Sequence, residues 1–185
     1  MPFMPCPGFP RCWLADVLTG LPPLVSPQTR LLILGSFPGA ASLAAQQYYG
    51  HPRNHFWPIL EVIWPSSPRN TCASSYQIRS AWLLSKGLGL WDVYAACERE
   101  GSLDSRIRSP VLNDLAGLRK LCPELAAIAH NGGESFRHAR HTQQFGLPVY
   151  RLPSSSPANA SWSFERKLAA WREVFEQHGL IQDKF

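Results

Sequence analysis

The sequence has no close cysteine pair. Its five cysteines, Cys6, Cys12, Cys72, Cys97 and Cys122, are an odd number with no C-x-x-C among them, which argues against a disulfide framework and a zinc ribbon. An iron–sulfur cluster on four of them is disfavoured for the same reason, since such ligand sets usually include a close pair. There is no run of roughly 18 apolar residues and no apolar segment behind the first residues of the kind a secretory leader carries. A cytoplasmic protein without membrane contact is therefore expected. Charge is scarce at 17%, below the roughly 25% of ordinary soluble domains, so few long solvated helices are expected. Lysine is scarcer still: only Lys86, Lys120, Lys167 and Lys184 stand among 18 cations, which face 13 acidic residues for a net charge of +5. Arginine is the better fork for phosphate, but GC-rich coding also raises its share, and charge alone leaves nucleic-acid binding open.

Familiar catalytic signatures are absent as well. The sequence has no Walker loop, no G-x-G-x-x-G turn and no G-x-S-x-G elbow. No His, Cys, Asp and Glu set has zinc spacing, and Pro52 between His51 and His55 spoils a helical pair. No metal is expected.

What is present is a chain of 185 residues, 45% hydrophobic, with 17 prolines and 13 glycines, enough for one core and many connections. Seven prolines crowd the first thirty residues (Pro2, Pro5, Pro7, Pro10, Pro22, Pro23, Pro27). Residues 1–29 read as an arm packed on a domain formed by 30–185, with at most one short helix around Trp13 to Leu18. Short apolar runs at Arg30–Leu34, Leu88–Tyr94, Leu125–His130 and Pro148–Leu152 look like strands buried on both faces. Helical patterns lie at about 55–64, 72–86, 111–121, 132–141 and 163–178. Strands alternating with helices predict a short, mostly parallel sheet covered on both faces, and ligands of such sheets bind beyond the strands' carboxyl ends.

Each predicted strand runs into a polar or Gly-Pro segment at that end. In Gly35-Ser36-Phe37-Pro38-Gly39 the glycines allow close backbone approach and Phe37 offers either a flat pocket wall or a core residue. Downstream, Tyr48, Tyr49, His51, Arg53, Asn54, His55, Phe56 and Trp57 mix aromatic, cationic and amide groups, a combination that stacks a base and holds its phosphate. Phe56 and Trp57 also suit the buried face of the next helix, with Asn54 serving its start. Trp91-Asp92 and Asn131 end the second and third strands. Pro153-Ser154-Ser155-Ser156-Pro157-Ala158-Asn159 places hydroxyls between prolines, which suits phosphate oxygens; Ser161 or Ser163 is left to cap the last helix.

In this order and spacing, GSFPG, QQYYGHPRNHFW, LWDVYAACEREGSLDSRIR, HNGG and LPSSSPANA resemble the uracil-DNA glycosylase superfamily, and within it the hypoxanthine-DNA (deoxyinosine) glycosylase branch, from about Arg30 to the C-terminal helix. The resemblance implies a single-domain α/β/α sandwich around a four-stranded, mostly parallel sheet. It implies flipping of hypoxanthine or uracil out of DNA and hydrolysis of the N-glycosidic bond without a cofactor. A monomer is expected, and because Lys86, Lys120, Lys167 and Lys184 fall in predicted helices or the tail, away from the strand-end segments, so is a monofunctional route without a Schiff base. Many members of the superfamily carry Asp or Asn at the third residue of the first motif, where Phe37 stands here. In the hypoxanthine branch that work falls to the Asn of HPRN, here Asn54, with Asn131 in the pocket.

Such cleavage needs a positioned water, a stabilised oxocarbenium-like sugar and help for the leaving base. Asn54 can orient water but is no base, so hydrogen bonds to the departing base must carry much of the barrier reduction. Asn131 is expected to pair with the lactam edge of the base, provided a neighbour fixes its orientation. Asp92 is either an acceptor near that edge, a reserve general base, or a cap for the loop after Trp91. The expected base pocket is Gly35, Ser36, Phe37, Tyr49, Trp91 and Asn131, and the expected DNA contacts are His51, Arg53, Ser154, Ser155, Ser156, Pro157, Ala158 and Asn159. The family's wedge loop here offers only the small Ala158 and Asn159, so insertion into the stack should be weak. Two other readings stay open: a nucleoside N-ribohydrolase acting on free nucleosides, and a nonenzymatic module for damaged or single-stranded DNA. Arg53, Arg137, Arg140 and Arg151 speak against the first, and an amide-lined pocket against the second.

Overall fold

The LLIL run is buried throughout, with Leu31, Leu32, Ile33 and Leu34 all inaccessible to solvent, because it is a central strand. The computed structural model describes residues 17–68 and 75–181. In it, strand β2 (Leu31–Gly35) lies between β3 (Leu88–Asp92) and β6 (Ala127–Asn131), and β7 (Val149–Leu152) completes a four-stranded sheet of order β3-β2-β6-β7. Every pairing in it is parallel. The chain steps from β2 outward to β3 and then back across β2 to β6, so the two central strand ends, Gly35 and Asn131, border the point where the winding reverses. Open parallel sheets leave a crevice there.

Alternation along β2 sends its residues to two cores. Leu31 and Ile33 join Phe56, Leu60, Leu83, Trp171 and Phe175 from helices α2 (Phe56–Ile63), α3 (Tyr76–Ser85) and α7 (Phe164–Gln177). Leu32 and Leu34 join Tyr94, Cys97, Leu118 and Ile128 on the other face. Ser163 caps α7, its Oγ accepting from the Arg166 N–H at 3.3 Å.

Three expectations change. The run expected as one strand to Tyr94 is two: Val93 turns it out of the sheet, and β4 (Tyr94–Glu98) pairs with β1 (Val17–Thr19) and β5 (Arg108–Leu112) in a separate antiparallel sheet. The N–H groups of Val93 and Tyr94 bond to the carbonyls of Gly35 and Ser36 (2.9 and 3.0 Å), so the bend is held by the end of β2. The helix expected over 111–121 begins instead in β5, with only α4 (Leu118–Leu121) helical beyond a short 3-10 turn at Leu115–Gly117. The helix expected over 132–141 is two short pieces, α5 (Gly133–Phe136) and α6 (Ala139–Gln143), interrupted where the His138 ring meets the Tyr94 hydroxyl at 2.8 Å. A helix at Ala40–Ala45, α1, was not anticipated; its residues carry no apolar period.

The helix expected around Trp13 to Leu18 lies mostly outside the described residues, and its last two positions belong to β1. From there Leu21 is buried and Leu24 bridges Leu90 at the outer edge of β3. Cys6, Cys12 and Cys72 are not described, while Cys97 and Cys122 are buried free thiols. No helix among the described residues is long and apolar enough to cross a membrane.

Candidate active site

A cleft of about 350 Å³ opens over the ends of β3, β2 and β6. Gly35, Ser36, Phe37, Tyr49, His51, Asn54, Asp92, Asn131 and all of Ser154–Asn159 line it, so most of the predicted site residues converge although they lie far apart in the chain. Larger hollows of about 520 and 570 Å³ lie elsewhere, over Val93 and His138 and beside Arg30 and Lys86. Neither contains a strand-end motif, and the chemistry identifies the smaller one.

Asp92 is the unusual group of the floor. It ends β3 with 5% exposure, and its Oδ2 is buried without a hydrogen-bond partner among the described residues. Burial, reinforced by nearby Asp104, lifts its pKa from 3.8 to about 7, against a smaller opposing effect of Arg99. An unpartnered buried carboxyl is costly to fold around, and groups tuned to neutrality collect at catalytic centres. Gly35 makes its position possible: a Cβ there would lie 2.2 Å from Asp92 Oδ1 and 3.7 Å from the Tyr49 hydroxyl.

Asn131 is fixed from two sides. Its Nδ2 donates to the Tyr49 hydroxyl (3.0 Å) and to Ser155 Oγ (2.9 Å), and its Oδ1 accepts the Ser155 N–H (2.9 Å). Because a backbone N–H can only donate, the carboxamide cannot turn over without losing these bonds. Both amide hydrogens are thus engaged within the protein, and what Asn131 retains toward the cleft is acceptor capacity on Oδ1. Tyr49 is held by stacking on Phe56, with ring centroids 4.0 Å apart.

Asn54 does two things. Its Oδ1 accepts the Phe56 N–H at 2.9 Å at the start of α2, and its side chain also borders the cleft. The next residue ties this segment to the serine loop, His55 N–H donating to the Ser155 carbonyl at 2.9 Å.

The serine loop divides into anchors and tips. Ser155, expected to contact phosphate, is fully buried and spends its N–H, carbonyl and Oγ on Asn131 and His55; it is an anchor. Ser154 and Ser156 use their Oγ atoms as acceptors for the N–H groups of Ser156 and Ala158 (both 3.2 Å), which leaves their O–H groups as donors. Asn159 braces the loop by donating to the Ser154 carbonyl at 3.1 Å. Below it, buried Lys167 donates from Nζ to the Asn159 carbonyl at 2.9 Å.

Two predicted residues lie elsewhere. Trp91 packs against the second core cluster and does not line the cleft, because alternation on β3 turns it away from the side that Asp92 takes. Arg53 is exposed beside the cleft rather than in it. Of the arginines read as surrounding the site, Arg137 pairs with Glu134 at 3.2 Å and Arg151 lies over the Phe136 ring. Phe37 fulfils both readings, buried in the second core yet bordering the cleft.

The segment 99–105, which leads out of β4, supplies residues that motif reading missed. The buried Arg99 guanidinium lies over the Phe37 ring at 4.9 Å and donates from Nη2 to the Pro38 carbonyl, with Nε and Nη1 without hydrogen-bond partners among the described residues. Ser102 Oγ accepts the Ala40 N–H at 2.9 Å, and Ser36 Oγ donates to Asp104 Oδ1 at 2.8 Å. Three bonds therefore clamp this segment onto residues 36–40. The segment belongs to the motif LWDVYAACEREGSLDSRIR, but that resemblance assigned no role to Arg99, Ser102 or Asp104, and burial of an arginine leaves no mark in sequence.

A family model described as the uracil DNA glycosylase superfamily matches residues 22–176. The chain is 36% identical over 156 residues to a hypoxanthine DNA glycosylase of Methanosarcina acetivorans, spanning 84% of this chain and 96% of that one. It is 35% identical over 158 residues to a hypoxanthine DNA glycosylase of Methanosarcina barkeri, spanning 85% and 98%. Among solved structures, an NMR structure of a Methanosarcina acetivorans protein assigned by name to the uracil DNA glycosylases matches with a TM-score of 0.76 at 35% identity, covering 89% of this chain and 99% of that one.

Proposed function

Because the chain belongs to the uracil DNA glycosylase superfamily, we propose that it removes a deaminated base, hypoxanthine foremost, from DNA by hydrolysing the N-glycosidic bond, the opening step of base excision repair. The observation that carries the reading is the buried Asp92 carboxyl, whose Oδ2 has no hydrogen-bond partner among the described residues, at the floor of a cleft that also contains the oriented Asn131 amide. The flipped nucleoside enters between the turn 36–39 and the serine loop. Asp92, ionised above about pH 7, accepts a proton from the attacking water, while Asn54 holds that water. Backbone N–H groups of the turn receive the charge that develops on the departing base.

Asn131 supplies selectivity. A fixed acceptor meets the lactam N–H of hypoxanthine or uracil but faces a lone pair in adenine or cytosine, and leaving two acceptors opposed is far more costly than losing one bond. Guanine shares the lactam, so its exclusion falls to the shape of the cleft. Ser154, Ser156 and Arg53 hold phosphates. Lys167 is buried with its Nζ held by the Asn159 carbonyl, which disfavours a Schiff base with the sugar and supports cleavage that stops at the abasic site. The enzyme acts as a monomer in the cytoplasm, with no cofactor.

The test is release of free base from duplexes carrying inosine, uracil or xanthine, followed by cleavage at the abasic site. Binding should weaken with salt at a log–log slope of roughly −3 to −5, for three to five phosphates. Hydrolysis of free inosine without release from DNA would establish the nucleosidase instead, and tight binding of damaged DNA without release would establish a binding module.

A further inference from the structure

Leu103 is a large apolar side chain left 48% exposed at the lip of the cleft. Its neighbours on both sides are tied down, Ser102 to the Ala40 N–H and Asp104 to the Ser36 hydroxyl. Its own carbonyl accepts the Arg106 N–H at 3.0 Å as a short 3-10 turn begins at Asp104. The backbone is thus fixed while the side chain is turned out, an arrangement that gains no burial within the fold.

The position of this lip follows from the sheet. Segment 102–105 stands over the end of β2, where Asp104 accepts the Ser36 hydroxyl at 2.8 Å and Ser102 packs on the turn at Gly39; the serine loop stands over the neighbouring end of β6, where Ser154 Cβ would lie 2.9 Å from a Cβ on Gly132. A duplex that delivers a nucleotide into the cleft has to meet both lips. The serine lip offers only Pro157, Ala158 and Asn159 at its tip, and Asn159 is occupied in bracing the loop. Opening a stacked pair favours an apolar group that replaces the lost stacking. Arg106, which pairs with Glu100 at 3.4 Å, and Arg108, which donates to the Ser105 and Ile107 carbonyls, are exposed just beyond this segment and add cationic groups beside Leu103 that suit a phosphate backbone.

We propose that Leu103 is the side chain that enters the base stack of duplex DNA and holds the target nucleotide extrahelical, so that the wedge comes from the segment after β4 rather than from the serine loop. This rests on the glycosylase reading. Leu103 touches DNA beside the target and takes no part in bond cleavage, so its effect belongs to opening the pair.

The experiment compares Leu103→Ala and Leu103→Met with the wild-type protein in single-turnover release of hypoxanthine from a fully paired inosine duplex and from the same strand unpaired. Fluorescence of a 2-aminopurine next to the inosine reports unstacking. Leu103→Ala should lose about tenfold on the duplex and less than twofold on the single strand, with a smaller fluorescence rise, and Leu103→Met should restore both. Equal rates on both substrates, or an equal loss on both, would overturn the assignment, since neither depends on opening a pair. If the wild-type protein releases base from neither substrate, the glycosylase reading fails and the wedge with it; release from both with an unaffected variant sinks the wedge alone.

Discussion

Replacing Asp92 with asparagine should stabilise the protein and inactivate it, and the size of the stabilisation should depend on pH. The carboxyl titrates at 3.8 in a model peptide and at about 7 in the fold. The folded state thus binds its proton more tightly than the unfolded state does, and the difference disfavours folding as pH rises between those values. At about 1.36 kcal/mol per unit, the raised pKa costs roughly 4 kcal/mol at pH 8, where the folded carboxyl is ionised, and roughly 1.6 at pH 5, where folding requires it to take up a proton. Asparagine does not titrate, and whatever its own amide costs in that site is the same at both values. The stability of Asp92→Asn relative to wild type should therefore grow by about 2–3 kcal/mol from pH 5 to pH 8, or roughly 5–10 °C in Tm. Urea unfolding at the two pH values measures it. In parallel, wild-type single-turnover release of hypoxanthine should rise about tenfold per pH unit and level off near pH 7, and the variant should fall by about 10²–10³ at pH 8 with no such limb. A stability difference that is the same at pH 5 and pH 8, or a variant rate within about threefold of wild type, would refute the role given to Asp92.

Asn54→Ala removes the acceptor for the Phe56 N–H and, on the proposed mechanism, the group that holds the attacking water, so single-turnover release should drop by about 10²-fold with a stability loss near 1 kcal/mol. Asn54→Asp keeps that acceptor and should show the rate change without the stability change in thermal unfolding. Asn131→Ala breaks bonds to Tyr49 and Ser155 and should destabilise by about 2–3 kcal/mol. The residual activity of this variant on inosine, set against its activity on adenine in paired duplexes, should reveal weaker discrimination; unchanged selectivity would remove Asn131 from base reading. Arg99→Gln withdraws the cation that lowers the Asp92 pKa, so the acid limb of the pH–rate profile should move to higher pH while the plateau of the limb stays level. A limb that stays in place would separate Arg99 from Asp92.

The parallel sheet was legible because its strands are short apolar runs between turn formers, a pattern that burial on both faces imposes locally. Helix α7 was legible for a similar reason: Ser163 and an amphipathic period mark it. The antiparallel sheet was not, since Leu88 to Tyr94 reads as one run and only the carbonyls at the end of β2 decide where it bends. The same limit applied to 111–121, where pairing with β4 outweighs a helical period.

By itself the sequence determined the set of chemical groups at the strand ends, among them Gly35, Asn54, Asp92, Asn131 and the Ser-Pro loop, because residue identity and strand position are local properties. Only the tertiary structure decided what each does. Whether Ser155 meets phosphate or anchors Asn131 depends on a hydrogen bond between residues 24 apart in the chain, and whether Asp92 holds its proton near neutrality depends on the burial around it together with Asp104 and Arg99. The segment 99–105 follows the same logic. Its place over the cleft rests on Arg99, Ser102 and Asp104 meeting residues 36–40, and desolvation and hydrogen-bond direction are properties of that assembled surface rather than of any stretch of chain.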